Sequence, residues 1–218
     1  MEAILVFIFI AVGFAGWWLW HEKILDKPWT TEGTETDLRE SIGTILPTRR
    51  TGLAVFLAVV TSVFALLVSA YFTRMELNDW HPVQEPGLLW FNTVLLILAS
   101  VSIHWCSRSD KINTVKLMLL ATGGFTVFFI IGQFMAWQQL VIEGYYLQSN
   151  PANAFFYLFT GLHGIHLLGG LWVWFGAMLR VFTGVEIEQA KISVQLCRTY
   201  WHFLLVIWMV IFALLLST

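Results

Sequence analysis

The chain has 218 residues, of which 58% are hydrophobic and only 12% are charged, and its formal net charge is −2. Soluble domains carry about 25% charged residues, so this composition excludes an ordinary soluble enzyme. The net charge by itself says nothing about nucleic acid, but the sequence contains no basic patch with interleaved aromatic residues, so we do not expect a nucleic-acid partner.

Six apolar segments are long enough to cross a bilayer, which takes about 20 residues. In chain order they are 3–20, 52–73, 88–106, 117–140, 154–179 and 200–217. We therefore predict an all-α, polytopic membrane bundle of six transmembrane helices with no separate soluble domain. The first segment lacks a basic stretch before it and a cleavage site after it, so we interpret it as a helix and not as a signal peptide.

The basic residues alternate between loops. The first, third and fifth loops hold, or lie next to, eleven of the twelve Lys and Arg residues: Lys23, Lys27, Arg39, Arg49, Arg50, Arg108, Lys111, Lys116, Arg180, Lys191 and Arg198. The second loop has only Arg74, and the fourth has none. Because basic loops stay in the cytoplasm, we predict that both chain termini lie on the outer, periplasmic side.

The long first loop separates the first segment from the other five. Its middle, residues 30–36, is rich in Thr, Glu and Gly, which is typical of a flexible surface linker. We therefore divide the chain into residues 1–50, an appended N-terminal transmembrane helix with a cytoplasmic loop, and residues 51–218, a five-helix bundle. Before the fifth segment, Asn150 or residues 151–153 are predicted to cap the helix.

Six polar side chains within the predicted spans are candidates for chemistry: His104, Gln133, Gln138, His163, His166 and His202. His163 and His166 are three positions apart and so share a face of their helix near the middle of the membrane. We interpret all six as hydrogen-bonding between helices, at about 1 kcal/mol each. The alternative is a haem or metal site, since imidazole is a common metal ligand.

Only one pair of these histidines suits a haem. His104 and His202 share a depth near the cytoplasmic ends of their helices, whereas His166 and His202 do not. The pair leaves open a small b-type membrane cytochrome. No Asp or Glu occurs within the predicted spans 88–106, 117–140 and 154–179. A transporter that works alone needs ionisable groups in the membrane, so we expect any chemistry to take place in a partner.

The segment 154–179 is rich in glycine, at positions 161, 164, 169, 170 and 176. Small residues allow membrane helices to approach closely, because packing drives their association in lipid. Two interpretations remain open: ordinary contact between helices of this chain, or close approach of a larger partner subunit.

Two motifs are specific. The segment FFYLFTGLHGIH at residues 155–166, followed by Gly169 and Gly170, resembles subunit III of the haem–copper terminal oxidases. The segment YWHF at 200–203, followed by Trp208, is similar to a second signature of that family. LWFNT at 89–93 resembles the start of a helix in bacterial members, and Arg180 falls where the family has an arginine. The resemblance covers about residues 51–218 and indicates a divergent bacterial member.

The resemblance implies a non-catalytic subunit III of a proton-pumping cytochrome c oxidase in a bacterial inner membrane. Such a subunit contains no haem, copper or catalytic residue, packs against subunit I, which holds the haems and the copper, and binds structural phospholipid. Subunit II is a further expected partner, and a small extra subunit is a candidate neighbour of the first helix. A subunit III-like component of a quinol oxidase or nitric oxide reductase stays open, because the electron donor and acceptor bind elsewhere.

The resemblance also suggests roles for five residues. Arg180 is the best candidate for contact with a lipid phosphate, because guanidinium binds phosphate in a bidentate fashion; an anchor on the positive side of the membrane is the alternative. His163, His166, Trp201 and His202 are expected to pack helices together or to line a lipid cleft, and not to bind a metal.

Three carboxylates usual in the family are absent. Val60, Gln195 and Leu205 occupy the matching positions. We therefore do not expect here the proton-linked or lipid-linked roles that depend on those acids, and their loss is compatible with a scaffold.

Overall fold

The computed structural model describes residues 48–82, 87–109, 111–183 and 187–217. They form five helices: α1 (Thr48–Met75), α2 (Leu88–Arg108), α3 (Ile112–Ile142), α4 (Pro151–Phe182) and α5 (Ile187–Leu216). Each contains a segment long and apolar enough to cross a membrane. The all-helical prediction is confirmed, as are five of the spans, whereas the predicted first span, 3–20, lies outside the described residues.

The chain divides into two compact units, Met1–Thr73 and Arg74–Thr218. Nearly all of α1 belongs to the first unit. Its side chains at Val60, Phe64 and Tyr71 are buried and are spaced four and seven residues apart, so they lie along one side of the helix.

The four helices of the second unit pack as a closed ring. Neighbours follow the order α2, α3, α4, α5 and back to α2. On α2, Leu89, Leu96 and Ile103 recur every seven residues and are each 0% exposed. The buried positions of α5 alternate in steps of three and four: Trp201, Leu204, Trp208, Ile211 and Leu215. This spacing is typical of side chains that interlock across nearly parallel or antiparallel helices.

Polar side chains lie inside this four-helix unit and apolar ones cover its outside. The buried polar residues on α2–α4 are Asn92, Thr93, Ser100, Ser102, Thr122, Thr126, Gln133, Asn153, Thr160 and His163. Large apolar side chains face outward; Trp172, for example, is 81% exposed. In lipid the hydrophobic effect does not drive helices together, so packing and buried hydrogen bonds hold them. The distribution is that of a bundle surrounded by membrane.

The C-terminus of α3 is closed by a glycine. Gly144 has φ of 90°, a left-handed conformation that suits a residue without Cβ. Its N–H donates to the carbonyl of Val141 at 3.1 Å, and the N–H of Tyr145 donates to the carbonyl of Leu140 at 2.9 Å. This pair of bonds is a Schellman motif, and it satisfies backbone carbonyls as the helix leaves the membrane.

The N-terminus of α4 is capped by Asn150, which confirms the first of the two predicted caps. The Asn150 side chain accepts from the N–H of Ala152 at 3.1 Å, and Pro151 stands at the first helical position. The same side chain also hydrogen-bonds to the backbone of His81. The cap therefore ties the loop before α2 to the start of α4.

Candidate functional site

Three tryptophans hydrogen-bond to threonines on other helices. The indole N–H donates to the hydroxyl in each pair: Trp208 to Thr93 at 2.9 Å, Trp201 to Thr126 at 3.0 Å and Trp137 to Thr160 at 3.0 Å. Each threonine hydroxyl then donates to the carbonyl four residues earlier in its own helix, at 2.7–2.8 Å. The three pairs connect α5 to α2, α5 to α3 and α3 to α4, so polar groups that would be costly in lipid instead hold the bundle together.

Trp201 is one of the residues that the resemblance pointed to, and it is 1% exposed. Its ring lies beside Gly170, where an added Cβ would come within 3.5 Å of the indole and 2.7 Å of the Tyr200 ring. Gly170 therefore makes room for the start of the YWHF segment against α4. Of the two interpretations of the glycines, contact within this chain holds at this position.

His163 lies in an aromatic pocket and makes no hydrogen bond to the described residues. It is 0% exposed, with its ring 5.2 Å from the Trp208 ring and 5.8 Å from the Phe129 ring between centroids. Neither ring nitrogen has a partner. The predicted bond between helices is wrong for this residue, because α4 aims the imidazole at two aromatic rings and not at a polar group.

His166 has different surroundings from His163 although both belong to the same motif. Its Nδ1 lies 2.7 Å from the carbonyl oxygen of Leu162 in the preceding turn of α4. Its own carbonyl accepts the hydroxyl of Tyr200 at 2.9 Å. His166 is partly exposed, so the structure assigns these two histidines to different environments.

The two glutamines predicted to bond between helices, Gln133 and Gln138, also have different surroundings. Gln133 is buried and accepts a long hydrogen bond, 3.4 Å, from the side-chain amide of Asn92 on α2, which confirms its predicted bond between helices. The Asn92 amide occupies the space that a side chain at position 132 would need, so Gly132 permits this contact. Gln138 is exposed on the surface of α3.

His104 and His202 meet across α2 and α5, which confirms that they share a depth. Nδ1 of His104 lies 3.1 Å from Nε2 of His202, and the ring centroids are 5.3 Å apart. Nδ1 of His202 lies 2.5 Å from the Ser100 hydroxyl. A haem iron between two axial imidazoles needs about 4 Å between nitrogens, with metal–nitrogen bonds of about 2 Å. The observed separation is too short, so the haem clamp is wrong for this arrangement.

Three cationic side chains gather at the end of the bundle that holds the α4–α5 connection. Arg180 is exposed and donates from Nη1 to the Ser193 hydroxyl at 3.2 Å. Lys116 Nζ lies 5.1 Å from the centre of the Phe182 ring, and Arg198 donates to the Ser107 hydroxyl at 3.1 Å. Within the described ranges none of these cations forms an ion pair with a carboxylate.

The five membrane-spanning segments contain no Asp or Glu. Of the positions where family carboxylates are missing, Val60 is buried on α1, and Gln195 and Leu205 are partly exposed on α5. Across the described part of the chain no group of three or more His, Cys, Asp or Glu is placed to hold a metal. Among the described residues, the polar side chains named above mainly connect one helix to another.

The model of the family described as cytochrome c oxidase subunit III matches residues 43–217. The chain belongs to this family. Cytochrome c oxidase subunit 3 of Thermostichus vulcanus is 30% identical over 172 residues, covering 75% of this chain and 84% of the relative. The probable cytochrome c oxidase subunit 3 of Mycobacterium leprae is 28% identical over 173 residues, covering 75% and 85%.

A third relative carries a different name. Subunit 3 of the cytochrome bo(3) ubiquinol oxidase of Buchnera aphidicola is 24% identical over 161 residues, covering 72% of this chain and 84% of the relative. Membership of the subunit III family makes this chain a membrane-embedded part of an oxidase complex, with other oxidase subunits as its partners. The resemblance inferred from residues 155–166 and 200–203 is thereby confirmed.

Proposed function

We propose that this chain is the non-catalytic, integral-membrane subunit III of a proton-pumping cytochrome c oxidase of aerobic respiration in a bacterial inner membrane. In this proposal it stabilises the catalytic subunit I, and electrons and pumped protons pass only through partners that hold the haems and the copper. The observation that carries the proposal is the match of the subunit III family over residues 43–217.

The chemistry of the interior supports a scaffold. A membrane protein that moves protons itself uses chains of ionisable groups, and the five described spans contain no carboxylate. The buried threonines and tryptophans are engaged with one another. The His163 ring packs against the rings of Phe129 and Trp208, and among the described residues neither of its ring nitrogens has a hydrogen-bond partner.

The outer face of α4 is the proposed contact with subunit I. Ile165, Leu168 and Trp172 are 64%, 55% and 81% exposed and recur at intervals of three and four residues. Gly169 and Gly176 lie on the same side, and a Cβ added at either would meet nothing within 4 Å. Large apolar side chains beside glycines suit close approach of another membrane helix. Subunit II and a small extra subunit are the further proposed partners.

A matched pair of variants tests this face. Gly169→Leu is expected to lower the amount of subunit I that co-purifies with the tagged chain, because the leucine side chain would hold the partner helix away. Gly124→Leu is the control, since Gly124 is also a helical glycine with open space around it but lies on α3. Equal loss of subunit I in both variants, or no loss in either, would contradict the assignment of this face.

Arg180 is the proposed contact for the phosphate of a structural phospholipid. One guanidinium nitrogen is used by Ser193, and the group has five N–H donors in all, so donors remain for a phosphate. His163, His166, Trp201 and His202 are proposed to pack the helices around the lipid site. Arg180→Gln should reduce the phospholipid that stays with the purified complex, measured by mass spectrometry, whereas Arg108→Gln at the same end should not. Equal retention in both would argue for a simple topological anchor.

The proposed topology has six helices, with residues 1–50 forming an appended helix and cytoplasmic loop before the five-helix bundle of 51–218. It is supported by the concentration of basic residues at one end of α2–α5: Arg108, Lys111, Lys116, Arg180 and Arg198. Cysteines introduced at Glu2 and Thr218 should react with a membrane-impermeant thiol reagent in intact cells. A cysteine at Asp110 should react only after permeabilisation, and the reverse pattern would overturn the orientation.

The second candidate is subunit III of a quinol oxidase, which the similarity to the ubiquinol oxidase subunit of Buchnera aphidicola favours. The two candidates differ in the electron donor, which does not bind to this chain. The complex that co-purifies with the tagged chain should oxidise reduced cytochrome c. Oxidation of ubiquinol but not of cytochrome c would establish the second candidate instead.

Removing the chain from the complex tests the supporting role. We expect the complex without it to keep its haem content and most of its initial oxygen consumption, but to inactivate several-fold faster during turnover, because subunit I loses its neighbour. Immediate and complete loss of activity with all haem retained would contradict a non-catalytic role.

A further inference from the structure

The distance between His104 Nδ1 and His202 Nε2 is too short for a haem. It is the distance expected between two neighbouring ligands of one metal ion. With metal–nitrogen bonds of about 2.0–2.1 Å and an angle of about 90–109° at the metal, the two nitrogens lie about 2.8–3.4 Å apart. The observed distance between His104 Nδ1 and His202 Nε2 is 3.1 Å. The two helices thus hold a pair of imidazoles at the separation of adjacent ligands.

We propose that His104 and His202 form a binding site for one divalent late transition-metal ion, with Zn²⁺ as the ion to test, that links α2 to α5. Imidazole suits zinc, copper and nickel ions. Because the described residues offer no third His, Cys, Asp or Glu in reach, water completes the coordination and the ion is exchangeable. This site is separate from the proposed oxidase role and does not depend on it.

Ser100 supplies the second interaction that such a site needs. Histidines that bind metals nearly always donate their other ring N–H to an acceptor, which fixes the tautomer and the ring orientation. The Ser100 hydroxyl lies 2.5 Å from Nδ1 of His202. With that N–H donated to Ser100, Nε2 of His202 carries a lone pair towards His104. Binding then requires only that His104 carries its proton on Nε2, so that Nδ1 also presents a lone pair.

The site lies within reach of the aqueous boundary. His104 is four residues from the end of α2, a distance of about 6 Å along the helix, and both rings are partly exposed. The nearest cation along α5 is Arg198, one turn before His202 on the same face, where the Ser107 hydroxyl holds its guanidinium. Its positive charge opposes a bound cation, so removing that charge should strengthen binding.

Equilibrium dialysis of the purified complex against Zn²⁺, with zinc counted per copy of this chain by mass spectrometry, tests the proposal. His104→Asn and His202→Asn should each lose one zinc per chain. Ser100→Ala should weaken that site by about 10–100-fold, the usual cost of losing such a hydrogen-bond partner, and Arg198→Gln should tighten it. His81→Asn removes an exposed histidine from the loop before α2 and should change nothing.

The wild-type complex provides a test that does not depend on how the variants fold. After equilibration with Zn²⁺, an anomalous-scattering map should show a peak about 2.0–2.1 Å from both His104 Nδ1 and His202 Nε2. An empty map between the two rings at saturating zinc would overturn the proposal. The same zinc count in His104→Asn, His202→Asn and the wild type would overturn it as well.

Discussion

The surroundings of His163 and of His202 show how differently one residue type is used within a single membrane bundle. His163, on α4, is fully buried against Phe129 and Trp208 and has no hydrogen-bond partner among the described residues. His202, on α5, has a polar neighbour at each ring nitrogen, Ser100 and His104. A histidine inside a span therefore indicates no function by itself, because the residues facing it decide its role.

The two histidines also differ in the role that their surroundings support: packing at His163 and ion binding at His202. The aromatic surroundings of His163 contribute to packing. The polar surroundings of His202 lie at the end of the bundle near its cationic residues, where an ion from the aqueous phase can reach them.

Replacing Trp208 with Ala should have the largest effect, because it removes one wall of the His163 pocket. Trp208 is 0% exposed and donates to Thr93 on α2. A buried Trp→Ala change costs about 3–5 kcal/mol, so thermal denaturation of the purified complex should shift to markedly lower temperature. Trp172→Ala is the matched control, since Trp172 is 81% exposed. An equally large drop in the denaturation temperature of the Trp172→Ala variant would mean that burial within this chain does not determine the loss of stability.

The same substitution at the two histidines should have opposite effects. His163→Leu should raise the free energy of unfolding by about 1–3 kcal/mol, since it removes a buried polar group without a partner. His202→Leu should lower it by a similar amount, because Ser100 and His104 each lose a hydrogen bond. Denaturation of the two variants side by side checks the sign. Destabilisation by His163→Leu would show that its ring nitrogens have a partner in the assembled complex.

Removing the acceptor of one tryptophan should have a smaller effect. Thr126→Val keeps the shape of the side chain but takes away the hydroxyl that receives the Trp201 indole N–H at 3.0 Å. Hydrogen bonds between membrane helices contribute about 0.6–2 kcal/mol, so we expect a loss in that range. Thr126→Ser should restore most of it. Equal stability of the Val and Ser variants would mean that the indole finds another acceptor.

The smallest effect is expected outside the membrane, where a hydrogen bond from Arg74 holds the pKa of the Asp79 carboxyl below its usual value. The pair lies at 2.5 Å, with the Asp79 side chain largely exposed. Because the pKa of Asp79 is lower in the folded than in the unfolded chain, the pair stabilises the folded state at pH values above the unfolded pKa of about 3.9. This stabilisation disappears as the pH falls through the pKa of Asp79 in the folded state. Asp79→Asn should therefore slightly reduce the acid sensitivity of the melting temperature. An unchanged pH profile would contradict a contribution from the pair.

Much of the fold was predictable because lipid imposes a length and an apolar composition on each span. The five described helices match the predicted segments, but α5 begins at Ile187 and not at residue 200, and α3 begins at Ile112 and not at 117. Both helices continue past the apolar segment through polar and charged residues such as Lys116 and Arg198. A hydropathy pattern detects the membrane-crossing part and not the extension into the aqueous boundary.

Contacts in the candidate site were predictable only where they follow from the distance of a residue from the membrane boundary. His104 and His202 were placed together because they lie equally far from the membrane boundary, and they are in contact. The sequence could not predict that His163 lacks a hydrogen-bond partner among the described residues, since this depends on which side chains of α3 and α5 face its ring. The three Trp–Thr bonds were missed for the same reason. Threonines such as Thr93 and Thr126 within apolar spans gave a signal, but the order of the helices was needed to pair them.

The location of haem is the most direct test of the central claim that this chain supports an oxidase without carrying its redox centres. The complex should be purified through a tag on this chain, assayed for oxygen consumption, dissociated under mild conditions and separated into its subunits. We predict an active oxidase in which all haem absorbance remains with the partner subunits and none with this chain. Haem that follows this chain, or a purification that recovers no oxidase partners, would contradict the account.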